Sequence, residues 1–152
     1  MALVLIGINH NTANVDLREK VAFPPELVDE ALTQLMAGES VDGAVIVSTC
    51  NRTEIYVAYE SSSDARQLDV TASNSSLFAE RKQSLLIWLA AYHSVSVDDL
   101  QDCNYSFAEQ EVVKHLMRVS CGLDSMVLGE PQILGQIKSA YAVSKDKEAL
   151  GP

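Results

Sequence analysis

The sequence is poor in the features that mark several large protein classes. Its 152 residues include 3 cysteines, 4 prolines, 7 glycines and 1 tryptophan. Cys50, Cys103 and Cys121 are odd in number, far apart and without a CxxC pair, which argues against a disulfide framework. With His10, His93 and His115 they make no zinc pattern, and no metal is expected. The longest apolar run, Leu85–Tyr92, spans eight residues. A membrane helix needs roughly 20. No basic stretch precedes the first apolar run, so no leader peptide is expected. Neither GxGxxG nor GxxxxGK[ST] occurs, so no dinucleotide or P-loop site is expected in this chain. Basic residues are scarce: 11 against 21 acidic, a net charge of -10. That excludes a broad basic face for nucleic acid but leaves room for a local contact.

What is present is ordinary globular material, with 47% hydrophobic and 21% charged residues. Disordered and fibrous classes are excluded. Leu3–Ile8 reads as a buried strand ending at Asn9-His10-Asn11. Pro24-Pro25-Glu26 opens a helix whose apolar face is Leu27, Val28, Ala31, Leu32, Leu35 and Met36, with Gly38 as its stop. Gly43–Val47 and Glu54–Tyr59 read as strands of a hairpin, with Ser48–Thr53 at its tip. Residues 61–77, rich in serine, read as a surface loop. A helix is expected over about 78–93 and a short strand over Cys103–Phe107. The order is β-α-β-β-α-β, the ferredoxin-like sequence of elements. Two helices follow. One spans about 108–121 with Val112, Val113, Leu116 and Met117 inward. The other starts near Pro131 and carries Ile133, Leu134, Ile137 and Tyr141. The connection Gly122–Glu130, with two glycines and a following proline, reads as structured.

Cys50 is the sharpest candidate for chemistry. It lies just past a strand with polar neighbours Thr49 and Asn51, and Arg52 follows two positions on. A buried strand thiol is inert packing, whereas a thiol in a polar, cation-flanked turn is a nucleophile; the local sequence leaves both readings open. Arg52 can favour the thiolate, or use its planar fork on a substrate carboxylate. Cys103 and Cys121 read as packing residues. His115 on a helix, His93 at a helix end and His10 at a strand end have no assigned role from local chemistry.

Four stretches carry a resemblance: Gly7–Ala13, Ser48–Tyr56, His115–Val119 and Gly122–Gln136. Together the chain resembles the N-terminal catalytic domain of the glutamyl-tRNA reductase family over almost its whole length. The resemblance implies an α+β fold, a ferredoxin-like β-α-β-β-α-β sandwich followed by C-terminal helices. Residues 1–107 would be the catalytic subdomain and 108–152 a helical segment completing the glutamate site. NADPH-binding and dimerisation domains would lie outside this chain, which itself would bind no cofactor.

The implied activity is reduction of glutamyl-tRNA to glutamate-1-semialdehyde with NADPH, the first step of the five-carbon route to tetrapyrroles. The family's nucleophile falls on Cys50 and its activity-linked histidine on His115. Its substrate contacts fall on Thr49, Cys50, Asn51, Arg52, Ser125, Glu130, Pro131, Gln132 and Gln136. Arg52 suits the glutamate carboxylate. Implied partners are glutamyl-tRNA, a second copy in the full-length enzyme and glutamate-1-semialdehyde aminotransferase, in the cytoplasm and without a membrane. Asn14 departs from the family's usual proline, and Ser120-Cys121 from its usual Ala-Ser. Two rival readings stand beside it. A cysteine hydrolase or acyltransferase would need a histidine beside Cys50. A regulatory module on the same fold would not need the thiol.

Overall fold

The computed structural model describes residues 2–60 and 70–150, without the side chains of 70–74. In chain order the elements are β1 (Ala2–Asn9), α1 (Val15–Lys20), α2 (Pro25–Met36), β2 (Val41–Ser48) and β3 (Arg52–Tyr59), then α3 (Val70–His93), α4 (Val97–Gln101), β4 (Tyr105–Ala108), α5 (Gln110–Ser120) and α6 (Gln132–Asp146). The strands form one four-stranded sheet in the order β2-β3-β1-β4. Every pairing is antiparallel.

Register divides the sheet into two faces. Directly paired residues share a face, and neighbours along a strand alternate. Val4 pairs with Val57 and Ile6 with Ile55. Ile46 also pairs with Ile55, and Ala44 with Val57. These residues join Leu32 and Leu35 of α2, Leu85, Leu86 and Leu89 of α3 and Leu100 of α4 in one apolar core. Each such Val, Ile or Leu contributes about 1.5–3 kcal/mol when fully buried.

The other face carries Leu5 opposite Tyr56, Gly7 opposite Glu54 and Asn9 opposite Arg52. On the far side of β1, Leu5 pairs with Phe107 and Gly7 with Tyr105. Helix α5 packs over this face against β4 and β1. Gly7 is required there: a Cβ would lie 2.5 Å from the Tyr105 ring.

The strands and long helices fall where the sequence places them, with some differences. Helix α3 starts at Val70, so the loop expected over 61–77 is helical from that residue on; residues 61–69 lie outside the described ones. Local serine preference is a weak prior against a helix whose later turns bury Leu85, Leu86 and Leu89. Two short helices escape the periodicity reading and start on caps. The Asn14 side chain accepts from Leu17 N at 2.9 Å, and the Ser96 hydroxyl accepts from Asp98 N at 3.2 Å. The departure at Asn14 thus supplies the cap of α1.

The inward faces of the last two helices also differ. Helix α5 buries Val112, His115 and Val119, while Val113 and Met117 are exposed. In α6, Ile133 and Ser144 are buried, while Leu134 and Tyr141 are exposed. Cys103 precedes β4, and its thiol donates to Asp99 O at 2.9 Å. Cys121 is exposed rather than packed.

Candidate active site

The β2–β3 connection is Thr49-Cys50-Asn51. The Thr49 hydroxyl accepts from the backbone N–H of Asn51 and of Arg52, both at 3.2 Å. Thr49 N donates to Arg52 O at 2.8 Å. A side chain that takes two backbone donors sets the turn's shape. The end of β1 braces it from outside, with His10 N donating to Asn51 O at 2.9 Å. That brace is folded by its own polar residues. Asn11 N donates to the Asn9 side-chain oxygen at 2.9 Å, and Asn9 N to the Thr12 hydroxyl at 3.0 Å. Cys50 is exposed at the apex, and its sulfur makes no hydrogen bond among the described residues.

Beneath the turn lies a buried charged cluster centred on Glu54, which has no exposed surface. Its Oε1 accepts from Arg52 Nη1 at 2.9 Å and from the Tyr105 hydroxyl at 2.6 Å. His115 Nε2 lies 2.6 Å from the same oxygen. The Tyr56 hydroxyl donates to Oε2 at 2.7 Å. Burial pushes this carboxyl's pKa upward, but His115, Arg52 and Tyr105 together outweigh it and hold it at about 2. Glu54 is therefore ionised and has no proton to give, so the proton in the short contact sits on His115 Nε2. The two phenols are pushed far up by burial and by the adjacent carboxylate, so they remain donors.

The 122–130 loop closes over the cluster. Gly122 and Gly129 take φ of 70° and 75°. A Cβ on Gly122 would also meet Glu130 N at 2.9 Å. Ser125 N and Gly129 N both donate to Gly122 O, at 3.3 and 3.2 Å. Arg52 Nη2 donates to Asp124 O at 2.6 Å, which ties the cysteine turn to this loop. The Asp124 carboxylate receives Arg118 Nη2 at 3.0 Å and lies 3.8 Å from His115 Nδ1. Met126, Val127 and Leu128 point outward and are 63%, 68% and 76% exposed.

The site residues expected from sequence divide accordingly. Thr49, Cys50, Asn51 and Arg52 form one turn, and Arg52 and His115 meet on Glu54. Arg52 is only 2% exposed. Its reach to a substrate depends on the N–H groups left after Glu54 and Asp124 are served. Ser125 adjoins Asp124 and is half-buried, as is Glu130. Pro131, Gln132 and Gln136 are exposed at the start of α6, and the hydrogen bonds of the cluster do not extend to them. No histidine ring is hydrogen-bonded to Cys50 among the described residues.

Sequence reasoning missed Glu54, Tyr56, Tyr105 and Asp124. For the first two a signal existed. Arg52, Glu54 and Tyr56 alternate along one strand, which puts an acid, a base and a phenol on one face. A carboxylate inside an otherwise apolar strand asks for partners. Among the described residues, no group of three His, Cys, Asp or Glu is arranged to hold a metal ion. No described helix is long and apolar enough to cross a membrane.

The family model for the glutamyl-tRNAGlu reductase N-terminal domain matches residues 6–152. Glutamyl-tRNA reductase of Ectopseudomonas mendocina (strain ymp) is 48% identical over 152 residues, covering 100% of this chain and 32% of that protein. The enzyme of Marinomonas sp. (strain MWYL1) is 45% identical with the same coverage. The solved structure of glutamyl-tRNA reductase from Methanopyrus kandleri superposes with a TM-score of 0.69 at 29% identity, covering 97% of this chain and 29% of that one. The chain belongs to the family of the N-terminal domain of glutamyl-tRNA reductase. It spans about a third of the length of the curated relatives it matches.

Proposed function

We propose that this chain is the acyl-accepting part of a glutamyl-tRNA reductase, with Cys50 as the nucleophile. The Cys50 sulfur attacks the carbonyl of the aminoacyl ester. The C–S bond forms, the bond to the ribose oxygen breaks, and the thiol proton ends on that oxygen as the tRNA leaves. A thioester keeps the acyl group activated toward hydride, which a free carboxylate would not. The observation that carries this reading is the placement of Cys50, exposed at the apex of a turn braced on both sides. Such pre-set geometry is what nucleophilic catalysis requires.

Glu54 is a positioning residue in this reading. It fixes the tautomer of His115 and the direction of Arg52, whose remaining N–H groups would hold the glutamate carboxylate. Thr49 shapes the turn, and Asn51, Ser125, Glu130, Pro131, Gln132 and Gln136 would line the bound glutamyl group. The strand order β2-β3-β1-β4 supports assigning residues 1–107 to a ferredoxin-like subdomain and 108–152 to a helical segment that completes the site.

Reduction by NADPH to glutamate-1-semialdehyde is proposed for the whole enzyme. The residues here do not suit a dinucleotide: every strand pairing is antiparallel and no glycine-rich phosphate turn follows a strand. A homodimer, delivery of the aldehyde to an aminotransferase and a cytoplasmic setting belong to the same whole-enzyme proposal.

Incubation with tRNA charged with labelled glutamate tests the reading. Label should stay on the wild-type chain and be absent from Cys50→Ser. Equal labelling of both, or none on either, overturns it. In the same assay Arg52→Lys should narrow the preference for glutamyl over glutaminyl esters, and unchanged selectivity removes Arg52 from carboxylate recognition.

A further inference from the structure

The surroundings of His115 leave one of its two nitrogens free to respond. Nε2 lies 2.6 Å from Glu54 Oε1, and the proton between them is committed to that contact. The ring is flanked by Tyr105 and Phe107, at 5.3 and 5.0 Å between centroids. Buried in this way, the imidazole cannot turn over without leaving an ionised carboxylate short of a partner. Any proton the ring gains or loses therefore moves at Nδ1. The carboxylate facing Nδ1 is that of Asp124, whose Oδ2 is 3.8 Å away. That is ion-pair distance, and a shift of about 1 Å turns it into a hydrogen bond.

Stability does not account for Asp124. The 122–130 loop holds its own shape, since Ser125 N and Gly129 N both donate to Gly122 O. Arg118, which donates to Asp124 Oδ1 at 3.0 Å, is 59% exposed. An ion pair so open to water contributes about 0–1 kcal/mol. What Asp124 does is join three groups of the site. Its carbonyl takes Arg52 Nη2 at 2.6 Å, while its carboxylate takes Arg118 and faces His115. The contact with Arg52 and the contact with His115 use different atoms of one residue. A side-chain substitution can therefore remove the second and keep the first.

We infer that Asp124 is a positioning residue for glutamate capture: its carbonyl fixes Arg52, and its carboxylate sets the hydrogen-bonding state of His115 Nδ1. This rests on the reading of Cys50 as the acyl acceptor. The imidazole then acts from a fixed place between two carboxylates. Glu54 holds its inner nitrogen and Asp124 governs the outer one. A second carboxylate that orients a ring already held by a first is how an imidazole is kept in one working state.

Asp124→Asn tests the role, because it removes the charge and keeps both the size and the carbonyl. The first readout is nitrogen NMR of the His115 ring in the isotope-labelled chain without substrate. The Nδ1 signal should move and the Nε2 signal, still held by Glu54, should stay. The second is single-turnover capture from labelled glutamyl-tRNA over a range of chain concentrations. The maximal rate should fall about tenfold, with the half-saturating concentration within about twofold of wild type. The preference for glutamyl over glutaminyl esters should persist, since a carbonyl holds Arg52. Asp124→Glu, which restores the carboxylate, should recover part of the rate and guards against a mere folding defect. A wild-type rate or an unmoved Nδ1 signal in Asp124→Asn overturns the role. So does a collapse of the glutamyl preference, or a loss of rate that Asp124→Glu does not relieve. An Nδ1 signal that moves as expected, in a chain whose Cys50 takes up no glutamate, would refute the thioester reading and leave Asp124 as the partner of His115.

Discussion

Ile55 and Glu54 are neighbours on β3, neither has any exposed surface, and they face opposite sides of the sheet. Ile55 enters a core of Val, Ile, Leu and Phe side chains, where volume and shape suffice. Glu54 enters a cluster in which an arginine, a histidine and two tyrosines all converge on its two oxygens. A buried ionic cluster of this kind is weak evidence for stability, since apolar replacements of similar volume are often neutral or better. The apolar face explains why the chain folds. The polar face costs desolvation and is joined through Arg52 to the turn that carries the exposed cysteine; under the proposed function, that link is the reason for the cluster.

The comparison can be broken most severely at its polar pole. Glu54→Ala leaves Arg52 and His115 buried without their carboxylate and should cost about 3–5 kcal/mol in urea unfolding. A loss under 1 kcal/mol would mean that the cluster is solvated in solution.

At the apolar pole, Leu32→Ala should cost about 2–5 kcal/mol by cavity formation. It should leave glutamate capture on Cys50 unchanged under conditions where the variant stays folded. A matching loss of capture would mean that the two faces are not separable.

Acid sharpens the contrast more gently. The Glu54 carboxyl is lowered from 4.5 to about 2 by its partners, in spite of burial. The unfolded chain therefore takes up the proton first as pH falls. The stability contributed by this carboxylate is complete above about 4.5 and is lost on descent toward about 2. Stability curves of wild type and Glu54→Gln should converge across that window. Parallel curves would show that Glu54 carries no such shift.

How much of this was legible in the sequence also differs between the faces. The apolar side follows from period and hydropathy: Leu32 and Leu35, Leu86 and Leu89, Ile6 and Ile8 are buried where their spacing puts them. The polar side defeats the same rule. Helix α5 was expected to bury Val113 and Met117, but it turns His115 inward between Val112 and Val119. The surface it covers mixes Leu5 and Phe107 with the polar groups of Glu54 and Tyr105, and His115 meets the carboxylate there, so hydropathy alone ranks the helix faces wrongly. Cys50 and Arg52 stood out because of their local chemistry. Tyr105 and Asp124 did not, because their meaning comes from sheet register and loop closure across 51 and 72 residues of chain.

The central claim is that the polar face serves acyl transfer while the apolar face serves folding. Single-turnover capture of glutamate from glutamyl-tRNA, measured on wild type, Glu54→Gln and Leu32→Ala with all three folded, tests it most directly. Glu54→Gln should slow capture about tenfold or more by misdirecting His115 and Arg52, while Leu32→Ala keeps the wild-type rate. Equal rates for Glu54→Gln and wild type, or equal slowing of both variants, would contradict it.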